Sequence, residues 1–170
     1  MSDAAGPIIV TALFGHGDNG WLQELRRAHY PAERNLVPAH LTLFRHLPPG
    51  VEAELKRRLS AYAATPPPPA RVAGVMDLGE GTALRIDSEE LEDIRHDLAE
   101  ALRGLLMPQD QAPWRPHVTI QNKVEPREAR RLQQQLRGHF EGRSLAIRAL
   151  GSWRYLGGPW QPIREHVFRG

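Results

Sequence analysis

Pro116-His117-Val118-Thr119-Ile120 reads as a β-strand, and the chain holds a near-copy of it at Ala39-His40-Leu41-Thr42-Leu43. Both stretches follow one pattern: histidine, apolar residue, threonine, apolar residue. Side chains on an extended strand alternate between its faces. His40 and Thr42 therefore share one face and Leu41 and Leu43 the other, and His117 and Thr119 stand against Val118 and Ile120 in the same way. Each copy offers an imidazole beside a hydroxyl, on a strand anchored from behind by hydrocarbon. With eight His and five Thr in 170 residues, chance yields two such doublets about 2% of the time. A single copy reads best as a strand histidine with a half-buried partner. The matched pair does not.

Outward from the motifs, the chain resolves into short elements. Residues 1–6 read as a disordered tail, and Ile8 to Phe14 as a buried strand. Gly15 to Gly20 reads as a turn without the lysine of a nucleotide-cradling loop, and a helix follows over about Asp18 to Ala28. Pro38 introduces the first motif strand, which ends near Leu47-Pro48-Pro49-Gly50. Val51, Leu55, Leu59 and Tyr62 then fall at helical spacing. Pro66 to Pro69 form a stiff connector. Strands over Arg71–Leu78 and Thr82–Ile86 flank Gly79-Glu80-Gly81, a hairpin signal. Ser88 caps a helix running to about Leu106, and a loop with Pro108 and Pro113 leads to the second motif. A helix from Pro126 carries Ala129, Leu132 and Leu136 inward. Strands over about Leu145–Tyr155 and Pro162–Phe168 close the chain.

Laid side by side, the halves match. Strand, helix, motif strand, helix, strand occupies about 8–76 and recurs over about 82–150, offset by the 77 positions between His40 and His117. A duplicated βαβαβ-type unit explains the repeated motif. The expected fold is α+β: one domain over 1–170, made of two pseudo-symmetric lobes with mostly antiparallel sheets around a central cleft. A closing strand lies at 160–169.

Composition agrees with a globular protein, 41% hydrophobic and 25% charged. The apolar run from Ile8 to Phe14 is too short to span a bilayer and lacks the flanks of a signal peptide. With no Cys there is neither a disulfide framework nor thiolate chemistry, and the expected location is the cytoplasm. Formal net charge is only +2, which does not argue for a large nucleic-acid footprint. Arg far outnumbers Lys, which suits a phosphorylated ligand, although a coding bias toward Arg explains much of it.

His-Leu-Thr-Leu at 40–43 and Pro-His-Val-Thr-Ile at 116–120 resemble the two signatures of the two-histidine (2H) phosphoesterase superfamily, and within it the bacterial 2′-5′ RNA ligase-like branch. The resemblance implies a two-lobed, metal-independent and cofactor-free cyclic phosphodiesterase acting on RNA termini or small nucleotides. The chain departs from the branch at Phe44-Arg45-His46, where a small glycine-ended turn is usual, and carries Gln121-Asn122-Lys123 after the second motif.

The chemistry expected is opening of a 2′,3′-cyclic phosphodiester, with His117 as general base, His40 as general acid and the reverse assignment close behind. Thr42 and Thr119 would hold the non-bridging oxygens. Ligation to a 2′-5′ linkage is the same chemistry reversed. By alternation Phe44 and Gln121 share the cleft face, with His46 and Lys123 one step further. Lys123 and Arg115 are the phosphate candidates, Phe44 a base-stacking one, and Tyr155 with Trp153 a stacking wall. The partner is an RNA terminus or small cyclic nucleotide, bound by a monomer. The alternatives are a non-catalytic RNA-end or nucleotide binding module, and a metal hydrolase. The latter is disfavoured because neither motif supplies ligands at a familiar metal spacing.

Overall fold

The computed structural model describes residues 6–35 and 37–169. Of the expected tail, residues 1–5 lie outside the described residues. Gly6 is packed, its carbonyl accepting from Arg154 Nη1 at 3.0 Å.

Seven strands carry the fold: β1 (Ile8–Phe14), β2 (Leu41–Leu47), β3 (Pro69–Asp77), β4 (Thr82–Asp87), β5 (His117–Gln121), β6 (Ser144–Arg154) and β7 (Gln161–Val167). Every pairing is antiparallel, in the order β2-β1-β6-β3-β4-β5 with β7 on the far edge of β6. β1 is buried at all seven residues, as a run that is apolar but for Thr11 requires of a strand covered on both faces. The helices are α1 (His16–His29), α2 (Glu52–Ala63), α3 (Glu89–Ala101), the one-turn α4 (Pro108–Gln111) and α5 (Pro126–Leu136). Each longer helix turns an apolar stripe to the sheet, Leu55 and Leu59 from α2 and Leu91 and Leu98 from α3. Ser88 caps α3 as expected, its Oγ accepting from Leu91 N at 3.2 Å.

The duplicated order holds, with β1-α1-β2-α2-β3 followed by β4-α3-β5-α5-β6, but the halves do not form separate sheets. β3 closes the first half yet pairs with β4 along its length. β6 closes the second half yet pairs with β1 from Ile147 to Arg154, touching β3 only over Ser144–Ala146. Each half therefore gives its last strand to the other, and one apolar core runs through both.

Two local expectations change. The Gly15–Gly20 run is not a turn, because α1 already starts at His16. Gly17 and Gly20 face open space, and Asp18 secures the helix start, accepting from Trp21 Nε1 at 2.8 Å and from Ala146 N on β6 at 2.8 Å. The expected loop after α3 contains α4, started by Pro108 at its first position.

Candidate active site

The two motif strands lie at opposite ends of the sheet order yet meet across one cleft of about 660 Å³. His40, Thr42, His117 and Thr119 all line it, together with Lys123 and Tyr155. Both histidines are fixed in the same way. His40 Nδ1–H donates to the Pro38 carbonyl at 2.7 Å, and His117 Nδ1–H to the Arg115 carbonyl at 2.7 Å. A carbonyl only accepts, so each ring keeps its proton on Nδ1 and leaves Nε2 free for chemistry. The backbone carbonyl two residues upstream therefore sets the tautomer in both copies.

Burial lowers both imidazoles from the usual histidine range. For His40 the result is about 4, with the Pro38 hydrogen bond opposing and the charges of Arg26, His117 and Arg45 adding to the fall. His117 is lowered in the same direction, by burial first, with the Arg115 hydrogen bond opposing and Arg45 and Arg115 adding. Both rings are neutral near pH 7. His40 also packs against Trp160, ring centroids 4.9 Å apart. Trp160 leans on Trp153, whose Nε1 donates to Thr11 Oγ1 at 2.9 Å. Trp153 itself is buried and does not line the cleft, whereas Tyr155 and Trp160 do.

Two buried arginines strap the motif strands, each reaching into the opposite half. Arg26 on α1 donates to the Thr119 carbonyl at 2.7 Å and the Val37 carbonyl at 2.8 Å, and its Nε and Nη2 donate to Asn35 Oδ1 at 3.2 and 3.0 Å. Arg95 on α3 donates to the Leu43 carbonyl at 2.8 Å and the Asp110 carbonyl at 2.8 Å. Trp114 Nε1 adds a bond to the Thr42 carbonyl at 3.0 Å. Burial opposes charge on both arginines. Their fixed forks reach backbone carbonyls that a lysine would meet at one point only.

Alternation fails just past each threonine. Opposite β1 the register slips between Thr42 and Phe44, and again between Phe44 and Leu47. Opposite β4 it slips between Thr119 and Gln121. An extra residue in one strand of a pair reverses the facing of everything after it. Phe44, expected to stack a base, is fully buried with the Arg95 guanidinium 4.0 Å from its ring. Gln121 is likewise buried and accepts from Thr82 Oγ1 at 2.9 Å. In their place Arg45 and Asn122, each five residues past its histidine, line the cleft. The first bulge frees two amide donors, and the buried Asp110 carboxylate accepts both, from Arg45 N at 2.9 Å and His46 N at 2.9 Å. His46 is exposed and does not line the cleft.

Of the other expected contacts, Lys123 lies at the cleft mouth in a left-handed backbone conformation, φ 60°. Arg115 lines an adjoining hollow of about 240 Å³ shared with Thr42, Arg45 and His117. Arg26, Arg45, Tyr30 and Trp160 escaped the sequence reading. Only Arg45 had a legible signal, the equal offset of residues 45 and 122 from their motifs. Among the described residues, the cleft lining contains no carboxylate. A second concavity of about 550 Å³, between β3 and the start of α3, is lined by Asp87, Glu89, Glu90 and Glu92 and would repel a phosphate.

The curated RNA 2′,3′-cyclic phosphodiesterase of Geobacillus stearothermophilus is 36% identical over 93 residues, which cover 49% of this chain and 30% of that protein. The match thus spans under a third of the relative's length. Among solved structures, TT0787 of Thermus thermophilus superposes with a TM-score of 0.68 at 16% identity, covering 96% of this chain and 98% of the other. E. coli LigT complexed with 3′-AMP gives 0.61 at 17% identity, covering 98% and 99%. These likenesses show the fold. The sequence model of the 2′-5′ RNA ligase superfamily matches residues 16–159, and the chain belongs to that superfamily.

Proposed function

We propose that the cleft opens 2′,3′-cyclic phosphodiesters of RNA ends or nucleotides by two-histidine acid–base catalysis, without a metal or other cofactor, in a cytoplasmic monomer. The observation that carries this is the pair of imidazoles, locked alike by backbone carbonyls, on one cleft with cations and, among the described residues, no carboxylate in its lining. The named activity of the Geobacillus relative supports the reaction class. So does the 3′-AMP held by a protein of the same fold.

In the reaction a water oxygen attacks phosphorus while one Nε2 takes its proton. The bond from phosphorus to one ribose oxygen breaks, and the other imidazole protonates that oxygen. Thr42 and Thr119 face the non-bridging oxygens, where negative charge grows. The base must be neutral and the acid protonated. Since His40 is held lower, at about 4, it suits the base and His117 the acid, the reverse of the order first expected from sequence. The same machine run backwards makes a 2′-5′ linkage.

The test is incubation with 2′,3′-cyclic mononucleotides and with RNA ending in a cyclic phosphate, with and without chelator, followed by identification of the monoester isomer. His40→Ala and His117→Ala should each lose about 10²–10⁴ in turnover. Sulfur in place of the leaving oxygen needs no proton, so it should rescue the acid's variant alone. Wild-type turnover in either alanine variant would overturn the mechanism. Binding without conversion by the unmodified protein would make the cleft a nucleotide-binding module instead.

A further inference from the structure

We propose that Arg45 is a further catalytic residue of the cleft, gripping the non-bridging oxygens of the phosphodiester between the two imidazoles. This deepens the reading of the same site as a phosphodiester-opening cleft and rests on it.

Four observations converge on this residue. Arg45 lines both the main cleft and the adjoining hollow, and each of these also contains Thr42 and His117. Its charge is felt by His40 and by His117 alike, which no other arginine in the cleft does. A residue that shares both hollows with His117 and Thr42 is within the space a phosphate between the motifs would occupy. Its side chain is exposed and forms no ion pair among the described residues, so the fork is unengaged.

The backbone that aims Arg45 is also built for it. The bulge after Thr42 turns Phe44 inward and Arg45 outward. Asp110, itself only 3% exposed, accepts the Arg45 amide through both oxygens, at 2.9 and 3.1 Å. A buried carboxylate bound to backbone N–H groups is costly unless those bonds are made. The anchor spends its charge on holding the backbone and leaves the Arg45 guanidinium for a ligand. At the equivalent place after the second motif the chain has the neutral Asn122, so the cleft has one such arginine and the phosphate has a preferred side.

The chemistry suits the role. Opening the cyclic diester puts a second negative charge on the phosphoryl oxygens in the transition state, and arginine meets two of them with parallel N–H bonds at any working pH.

Arg45→Gln and Arg45→Lys are compared with the unmodified protein for kcat, KM and the pH profile on a 2′,3′-cyclic nucleotide. Binding of inorganic phosphate is measured by calorimetry on the same samples. Arg45→Gln should lose about 10²–10³ in kcat/KM, mostly in kcat, and bind phosphate at least tenfold more weakly. Arg45→Lys should recover part of both. Because the Arg45 charge adds to the burial that lowers both imidazoles, its removal should also shift both limbs of the profile slightly to higher pH. Wild-type kcat/KM in Arg45→Gln, or a loss with both limbs unmoved, would overturn the assignment. An unmodified protein that opens no cyclic ester would sink the hydrolase reading but not this test, since equal phosphate affinity in the two proteins would still refute Arg45.

Discussion

At the scale of single residues, the proposed chemistry rests on two imidazoles held alike by backbone carbonyls, one working neutral as base and the other protonated as acid. That makes pH the most direct probe. In the free enzyme the base is competent above the lowered pKa of His40, about 4. The acid is competent only below that of His117, itself lowered from the ordinary value near 6.5. The kcat/KM profile on a cyclic nucleotide should therefore peak on the acid side of neutrality and already be falling before pH reaches the ordinary histidine value near 6.5. A plateau reaching past pH 7.5 would exclude His117 as the proton donor. The threonines make a separate prediction. Thr119→Val removes a hydroxyl proposed to meet the growing charge, so kcat should drop about 10²-fold with KM little changed. A rise in KM at constant kcat would mean that the hydroxyl serves ground-state binding only.

At the scale of elements, the motif strands were legible because a period of two survives in sequence, and the facing of His40, Thr42, His117 and Thr119 followed from it. What lay beyond each threonine was not legible. A bulge is a mismatch between two strands, and one strand's sequence does not record its partner's register. That is why Phe44 pointed into the cleft on paper and lies in the core in fact. Arg26 and Arg95 were hidden for a related reason: an arginine in a helix reads as solvated until the carbonyls it reaches are known. The bulges carry testable weight. Asp110→Ala leaves the amides of Arg45 and His46 without their acceptor and should cost about 1–3 kcal/mol in chemical denaturation. Turnover should fall with it, because Arg45 loses its aim. On the β5 side, a Cβ on Gly81 would collide with the Gln121 carbonyl. Gly81→Ala should therefore lower the melting temperature, whereas Gly79→Ala acts only through its positive φ of 85° and should disturb the β5 motif less. Equal loss of activity in the two glycine variants would argue against this close approach as the reason for glycine at 81.

At the scale of the whole molecule, the duplication was legible in the 77-residue offset, but the exchange of last strands was not. Local pattern shows that a strand exists and leaves its neighbours open. The exchange has a physical consequence. β1 meets β6 along its whole length, so the first half by itself exposes a long apolar strand edge of the kind that aggregates. The second half alone has no β1 to cover Ile147 and Leu150, both buried in the intact chain. The straps cross as well, Arg26 reaching Thr119 and Arg95 reaching Leu43. Neither half then holds its own motif strand in place. A chain divided in the exposed turn at Glu80 should yield two fragments, 1–80 and 81–170, that are each without cooperative thermal unfolding. Mixed, they should recover a common transition and the activity together, since every strand regains its partner and each imidazole its facing copy. Gel filtration, circular dichroism and turnover on the separate and mixed fragments measure this. A fragment that folds cooperatively alone would show that its half is an independent lobe, and that the strand exchange is dispensable to the cleft.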